Sequence, residues 1–201
     1  MKNILLRILP AYLVYLYMEL RYLFVAPRRS YSQFGEDLAA ANLIRTKKGV
    51  YVDIGACHPI RYSNTYLFYK KGWKGINIDI SPYSKSRFDI VRPKDTNVTL
   101  GIGNAGERLY YLFSNPLYNT CDDEQAREVK DSKRSTLIKT MSVKIVPLKE
   151  ALSKQNVGEI DFMNIDVEGM DLEVLKSNDW DTYRPKVIAI ESWNFYSNNP
   201  C

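Results

Sequence analysis

Three apolar runs in this chain close in the same way: VYVDIG (50–55), INIDI (76–80) and FMNIDVEG (162–169). Each is short enough for one buried strand, and each carries an aspartate at or beside its exit: Asp53, Asp79 and Asp166. Runs that stay apolar instead of alternating belong to strands buried on both faces, as in a parallel sheet covered by helices. Parallel strands all leave the sheet at one edge, so the three acids, with Glu168 just beyond, fall on one rim. Ligands of such sheets bind outside the carboxyl ends of the strands. A carboxylate is costly to bury without partners, so three acids on that rim point to a polar ligand.

The segments between the runs support the same plan. Helices are expected at 36–45, 64–71, 82–91, 122–130, 147–155 and 170–176. Strands are expected at 50–54, 75–80, 97–102, 142–146, 160–166 and 186–191, with a short β segment at 108–113. Ser81 followed by Pro82 reads as an N-cap and first helical residue. Strands alternating with helices in this way give an α/β domain. One such domain is expected over 31–201, preceded by a leader helix over 1–30.

Charge and composition exclude other classes. The formal net charge is +5, but residues 1–30 hold +4 of it and the body only +1. A nucleic-acid binder shows its basic face on the domain itself, so no nucleic-acid partner is expected. Cys57, Cys121 and Cys201 are widely spaced, with no C-x-x-C. His58 is the single histidine. Neither a disulfide framework nor a metal site is expected from that inventory, and a reducing cytoplasm suits it.

The leader contains ILPAYLVYLYM (8–18), uncharged and apolar, bounded by Arg7 and Glu19. A membrane span needs roughly 20 such residues. No small-residue cleavage site follows, which argues against a secretory signal. Tyrosines with flanking basic residues suit a membrane interface. Residues 1–28 are therefore expected to touch the inner face of a membrane from the cytoplasm. A helix packed on the body or on a partner chain, and a true span, are the competing readings. The sequence leaves the oligomeric state open.

The first loop, DIGACHPIRYSNT, lacks G-x-G-x-x-G, so the backbone approach to a pyrophosphate is missing. That argues against NAD or FAD. It suits a nucleoside cofactor without a pyrophosphate, of which S-adenosyl-L-methionine is the common one. Asp79, at the end of the second strand, sits where such folds bind ribose hydroxyls.

These pieces carry a resemblance. SQFGEDL (32–38), YVDIGACHP (51–59), YSNTYLFYKKGWKGINIDISP (62–82), LGIGNAGE (100–107), NTCDDEQA (119–126) and DFMNIDVEGMDLEVL (161–175) stand in order. Together they resemble the FkbM-type methyltransferases, a branch of the class I S-adenosylmethionine-dependent enzymes. The resemblance implies a Rossmann-like, doubly wound, mostly parallel sheet. It places Asp53, Gly55 and Ala56 on the glycine-loop side of the cofactor pocket, Asp79 on the ribose, and Gly103 and Asn104 near the adenine. Asp166 and Glu168 would lie beside the reacting methyl group. The acceptor would be a sugar, a glycan or another small hydroxyl-bearing metabolite, methylated on oxygen. Family members continue beyond KVIAIES with a helix and two strands, and this chain has ten residues after Glu191. A sheet short of its last two strands is therefore expected.

Methyl transfer to a hydroxyl needs orientation and benefits from a base. Asp166, Glu168 and His58 are the candidates, with a structural loop histidine as the competing role for His58. Ser63 or Asn64 is expected to cap the first helix after strand one, and Trp73 and Trp180 to serve packing. The alternative function is a catalytically inactive methyltransferase-like module that binds a membrane or a glycan-synthesis partner.

Overall fold

The computed structural model describes residues 30–191, 193–194 and 199–200. The expected leader helix, 1–30, lies outside the described residues apart from its last position. In chain order the elements are α1 (Glu36–Leu43), β1 (Val50–Ile54), α2 (Tyr66–Lys70), β2 (Lys74–Asp79), α3 (Ser84–Val91), β3 (Thr96–Thr99), β4 (Gly101–Ile102) and β5 (Gly106–Phe113). A 3₁₀ turn at Pro116–Tyr118 follows. Then come α4 (Asp123–Asp131), β6 (Leu137–Val146), α5 (Leu148–Lys154), β7 (Phe162–Ile165), α6 (Asp171–Lys176) and β8 (Val187–Ile190). Two short strands, β9 (Trp193–Asn194) and β10 (Asn199–Pro200), pair antiparallel.

The main sheet has the order β3-β2-β1-β7-β8, every neighbouring pair parallel. Strand order reverses between β1 and β7, which makes their carboxyl ends the switch point where such sheets bind ligands. Alternate residues of each strand face opposite layers. Val52, Ile54, Ile76, Ile78, Met163 and Ile165 pack with Leu148, Ala151 and Leu152 of α5 and Val174 of α6. Tyr51 and Phe162 pack the other way, against Ala40 and Ile44 at α1 and Phe68 of α2, with Trp73. Both faces of the sheet are thus covered, and each fully buried large side chain contributes about 1.5–3 kcal/mol. Trp73 serves packing as expected. Trp180 packs against the first of these clusters, its indole N–H donating to the Leu175 carbonyl at 3.0 Å.

The structure departs from the sequence pattern in the middle of the chain. The expected single strand at 97–102 is two: β3 ends at Thr99 and β4 crosses to a second sheet. That sheet has the order β4-β6-β5, with β5 and β6 antiparallel. Residue 101, where the chain crosses, is glycine, and two isoleucine side chains fill the space beside it. A Cβ there would lie 2.4 Å from Ile145 Cδ1 and 2.8 Å from Ile80 Cδ1. The segment 142–146, read as one more strand of the alternation, is the end of the longer β6. Its first eight residues face solvent on much of their surface, so they show no continuous apolar run. Ser81 does not cap α3. It lies in the preceding turn, and Tyr83 occupies the cap position without a side-chain bond.

Among the described residues, no helix is long and apolar enough to cross a membrane.

Candidate active site

The loop that leaves β1 is fixed by Gly55. Its φ is +79°, and a Cβ would lie 1.6 Å from the Asp166 carbonyl oxygen. Only glycine permits this approach of β1 to the β7 exit. The amides of Gly55 and Ala56 both donate to the Ile78 carbonyl, at 2.9 and 3.2 Å, so the turn is held to β2 as well.

Asp53 is 2% exposed. It meets the cost of burial by internal hydrogen bonding: Thr65 Oγ1 donates to Oδ2 and Asn164 Nδ2 to Oδ1 at 2.9 Å. Asn164 stands opposite Asp53 in the β1–β7 register. Its Oδ1 accepts from Asn64 Nδ2 at 2.8 Å. Burial pushes the Asp53 carboxyl above its ordinary range, opposed by the Arg92 guanidinium and by these donors.

Arg92 is completely buried. Its guanidinium donates to the Pro59 carbonyl at 2.8 Å, Ser63 Oγ at 2.6 Å, Thr65 Oγ1 at 2.8 Å and Asn77 Oδ1 at 3.2 Å. The rings of Phe88 and Tyr66 lie 5.0 and 5.2 Å from its Cζ. A charge removed from water needs this density of partners. The result ties residues 59–65, one wall of the site, to the sheet. Ser63 Oγ also accepts from the Tyr66 amide at 3.1 Å, but the cap position of α2 is Thr65, without a side-chain cap bond, and not Ser63 or Asn64 as expected.

Asp79 lies at the exit of β2. Its Oδ2 accepts from the Cys57 amide and its Oδ1 from the Ser81 amide, both at 2.7 Å. Burial raises its pKa against the pull of these two amides. Each oxygen retains a lone pair, so the carboxylate can take two further donors.

The third cluster sits at the exits of β7 and β8. Oxygens of Asp166, Glu168 and Glu191 lie within 4.8 Å of one another. Burial, then the Glu191 and Glu168 charges, push Asp166 up to about 9. Burial and Glu191 push Glu168 up to about 8. Glu168 has φ +53°, a conformation a side chain rarely adopts. It is held there by Thr120 Oγ1, which donates to its carbonyl at 2.9 Å, and by Gln125 Nε2, which donates to Oε2 at 2.9 Å. Oxygens so arranged can share protons, neutralise a cationic ligand or bind a hard divalent cation.

One cleft of about 830 Å³ joins these groups. Asp53, Gly55, Ala56, Asp79, Asp166 and Glu168 line it. His58, Gly103 and Asn104 are not on its walls. His58 Nδ1 accepts from the amides of Ile60 and Arg61 at 3.1 and 3.0 Å, which shapes the loop. Gly103 is buried beside Ile145 and Met170, and Asn104 is exposed. Sequence reasoning missed Glu191, Asn164, Gln125 and Arg92. Glu191 closes β8 as Asp53, Asp79 and Asp166 close theirs, so the same pattern could have found it. Asn164, a polar residue inside an apolar run, was a second available signal. Nothing local marks Gln125 or Arg92.

The cleft is of the size that encloses a small ligand. Its donor set fits a nucleoside carrying a positive charge: a carboxylate with free lone pairs for a ribose at one end, and an acidic cluster for a cationic centre at the other.

No curated protein and no solved structure matches the chain. A family model, the methyltransferase FkbM domain, matches residues 53–199, from the carboxylate of β1 to the first residue of β10. That span contains all three strand-end clusters, and the chain belongs to the FkbM methyltransferase domain family.

Proposed function

We propose that this chain transfers a methyl group from S-adenosylmethionine to a hydroxyl of a sugar, a glycan or another small hydroxyl-bearing metabolite. The observation that carries this reading is the pairing of Asp79 with the Asp166–Glu168–Glu191 cluster across one cleft. The cofactor supplies an activated methyl on a sulfonium. Asp79 receives the ribose hydroxyls, its orientation fixed by the Cys57 and Ser81 amides. The acidic cluster faces the positive charge. Glu168, raised to about 8, holds a proton at neutral pH; a cationic ligand beside it would lower that pKa and leave a carboxylate able to accept a hydroxyl proton.

The cleft walls also carry Phe34, Tyr62 and Tyr83, which are 80, 55 and 56% exposed. Exposed aromatic rings offer flat apolar surface to the C–H face of a sugar ring. This supports a carbohydrate acceptor and gives its orientation a physical basis. We further propose a cytoplasmic protein whose residues 1–28 contact a membrane, a reading supported by their net basic charge and the apolar run at 8–18.

Calorimetry with S-adenosylhomocysteine tests the cofactor first. Micromolar binding supports the reading, and a folded chain that binds none overturns it. Methyl transfer from labelled cofactor to a glycan panel tests the acceptor. Binding without transfer to any member favours the inactive binding module.

A further inference from the structure

Lysines gather at the ends of the strands opposite the cleft. Lys47 and Lys48 precede β1, Lys74 opens β2, Lys94 precedes β3, and Lys70 and Lys71 end α2. All six side chains are exposed. Lys70, Lys74 and Lys94 line one cavity of about 550 Å³ with Tyr69, Gly72 and Trp73. The Trp73 indole donates to the Lys47 carbonyl and the Lys74 amide to the Gly49 carbonyl, both at 3.2 Å. Residues 47 and 49 are thereby tied to two residues of the cavity wall.

The acids at this end are already engaged. Asp95 accepts from the Tyr51 hydroxyl, the Gly75 amide and Asn77. Asp161 accepts from the Val50 amide and Lys186, and Glu159 pairs with Lys186. Among the described residues, none of the six lysines forms an ion pair with a carboxylate. Like charges that share a cavity wall, as Lys70, Lys74 and Lys94 do, repel, and an anionic partner relieves the repulsion.

Two observations identify that partner. The preceding residues, 1–30, carry a net +4 and an eleven-residue apolar run at 8–18. The described body begins against α2: the Tyr31 hydroxyl accepts from Lys70 Nζ at 2.8 Å, and the Tyr31 ring meets Tyr66 edge-on at 4.8 Å. The leader thus joins the body beside the helix whose end carries Lys70 and Lys71. An apolar run and a basic surface acting together are the two signals that hold a peripheral protein on an anionic bilayer. We propose that this lysine-bearing end of the domain docks on an anionic membrane surface, with the cleft turned toward the water. The inference stands apart from the methyl-transfer reading.

Co-sedimentation of the full chain with vesicles of about one-third phosphatidylserine in phosphatidylcholine tests it. The chain should sediment with these vesicles and be released by about 0.5 M salt. The Lys70→Glu/Lys74→Glu/Lys94→Glu variant should partition about a hundredfold less, with an unchanged unfolding midpoint. Should that variant fail to fold, Lys70→Gln/Lys74→Gln/Lys94→Gln is measured instead and should also lose binding. Equal partition of the folded variant overturns the proposal. So does equal binding to pure phosphatidylcholine, retention at high salt, or preference for duplex RNA over the vesicles. Cofactor calorimetry on the same samples reports separately on the methyl-transfer reading.

Discussion

Arg92 Nη1 donates to Thr65 Oγ1 at 2.8 Å, and Thr65 Oγ1 donates in turn to Asp53 Oδ2. A buried cation thereby reaches a buried anion through one hydroxyl. The pair is 39 residues apart in the chain, with Asp53 on β1 and Arg92 just after α3. Their connection fixes the loop wall of the cleft, with Asp53 on the cleft wall and Arg92 behind it.

Removing Arg92 should therefore be severe. Arg92→Met leaves Asp53 without its countercharge and strips donors from Ser63, Thr65 and Asn77. An expected loss of about 3–5 kcal/mol follows from leaving one partner of a buried pair behind. Urea unfolding measures it. Thr65→Ala should cost less, about 1–3 kcal/mol, since it removes one hydroxyl and keeps both charges. Equal losses for the two variants would refute the relay.

Gly55→Ala should abolish the native turn. A methyl 1.6 Å from the Asp166 carbonyl cannot be accommodated by side-chain motion, and φ +79° disfavours alanine as well. Soluble yield and near-ultraviolet circular dichroism should both collapse. A well-folded alanine variant would show that β1 and β7 separate more easily than their register implies.

Asp79→Ala should weaken S-adenosylhomocysteine binding by about 1–3 kcal/mol through lost charge-assisted hydrogen bonds. Calorimetry gives the affinity, and a parallel thermal melt shows whether the Cys57 and Ser81 turns survive. Unchanged affinity would remove Asp79 from the cofactor site.

The acidic cluster sets a pH dependence. Asp166 and Glu168 lie at about 9 and about 8 in the folded chain, above the ordinary carboxylate range. Folded protein then binds more protons than unfolded protein between roughly pH 4 and 9. Stability of the ligand-free chain should accordingly fall as pH rises through that window. Glu168→Gln removes one titrating group and lowers the repulsion on Asp166, so its stability should fall less steeply. Urea midpoints at pH 6, 7.5 and 9 would decide, and parallel slopes for the two proteins would count against the raised pKa of Glu168.

Much of this was readable from the chain. The apolar runs at 50–54, 75–80 and 160–166 fall on β1, β2 and β7 because strands covered on both faces need uninterrupted apolar residues. The helix expected over 122–130 is α4, with Asp122 just outside it as a cap that accepts the Gln125 amide. The second sheet was not readable. β4 is two residues long, and its partners in β6, Ile145 and Val146, lie 44 residues further along the chain. Arg92 follows an ordinary helical segment and looks like a surface charge. Its burial depends on acceptors gathered from Pro59, Ser63, Thr65 and Asn77, a set that exists only after folding.

The seat of Asp79 also bears on how freely this site can change over generations. Both of its fixed partners are main-chain amides, at positions 57 and 81. Every residue but proline carries that donor, so drift at these two positions leaves the carboxylate aimed as before. Position 57 is the narrower of the two, because its φ of +46° favours glycine, asparagine or aspartate over branched side chains. Related chains can thus rewrite the sequence around this acid while keeping its orientation, and a proline at 57 or 81 would mark a copy that has abandoned it.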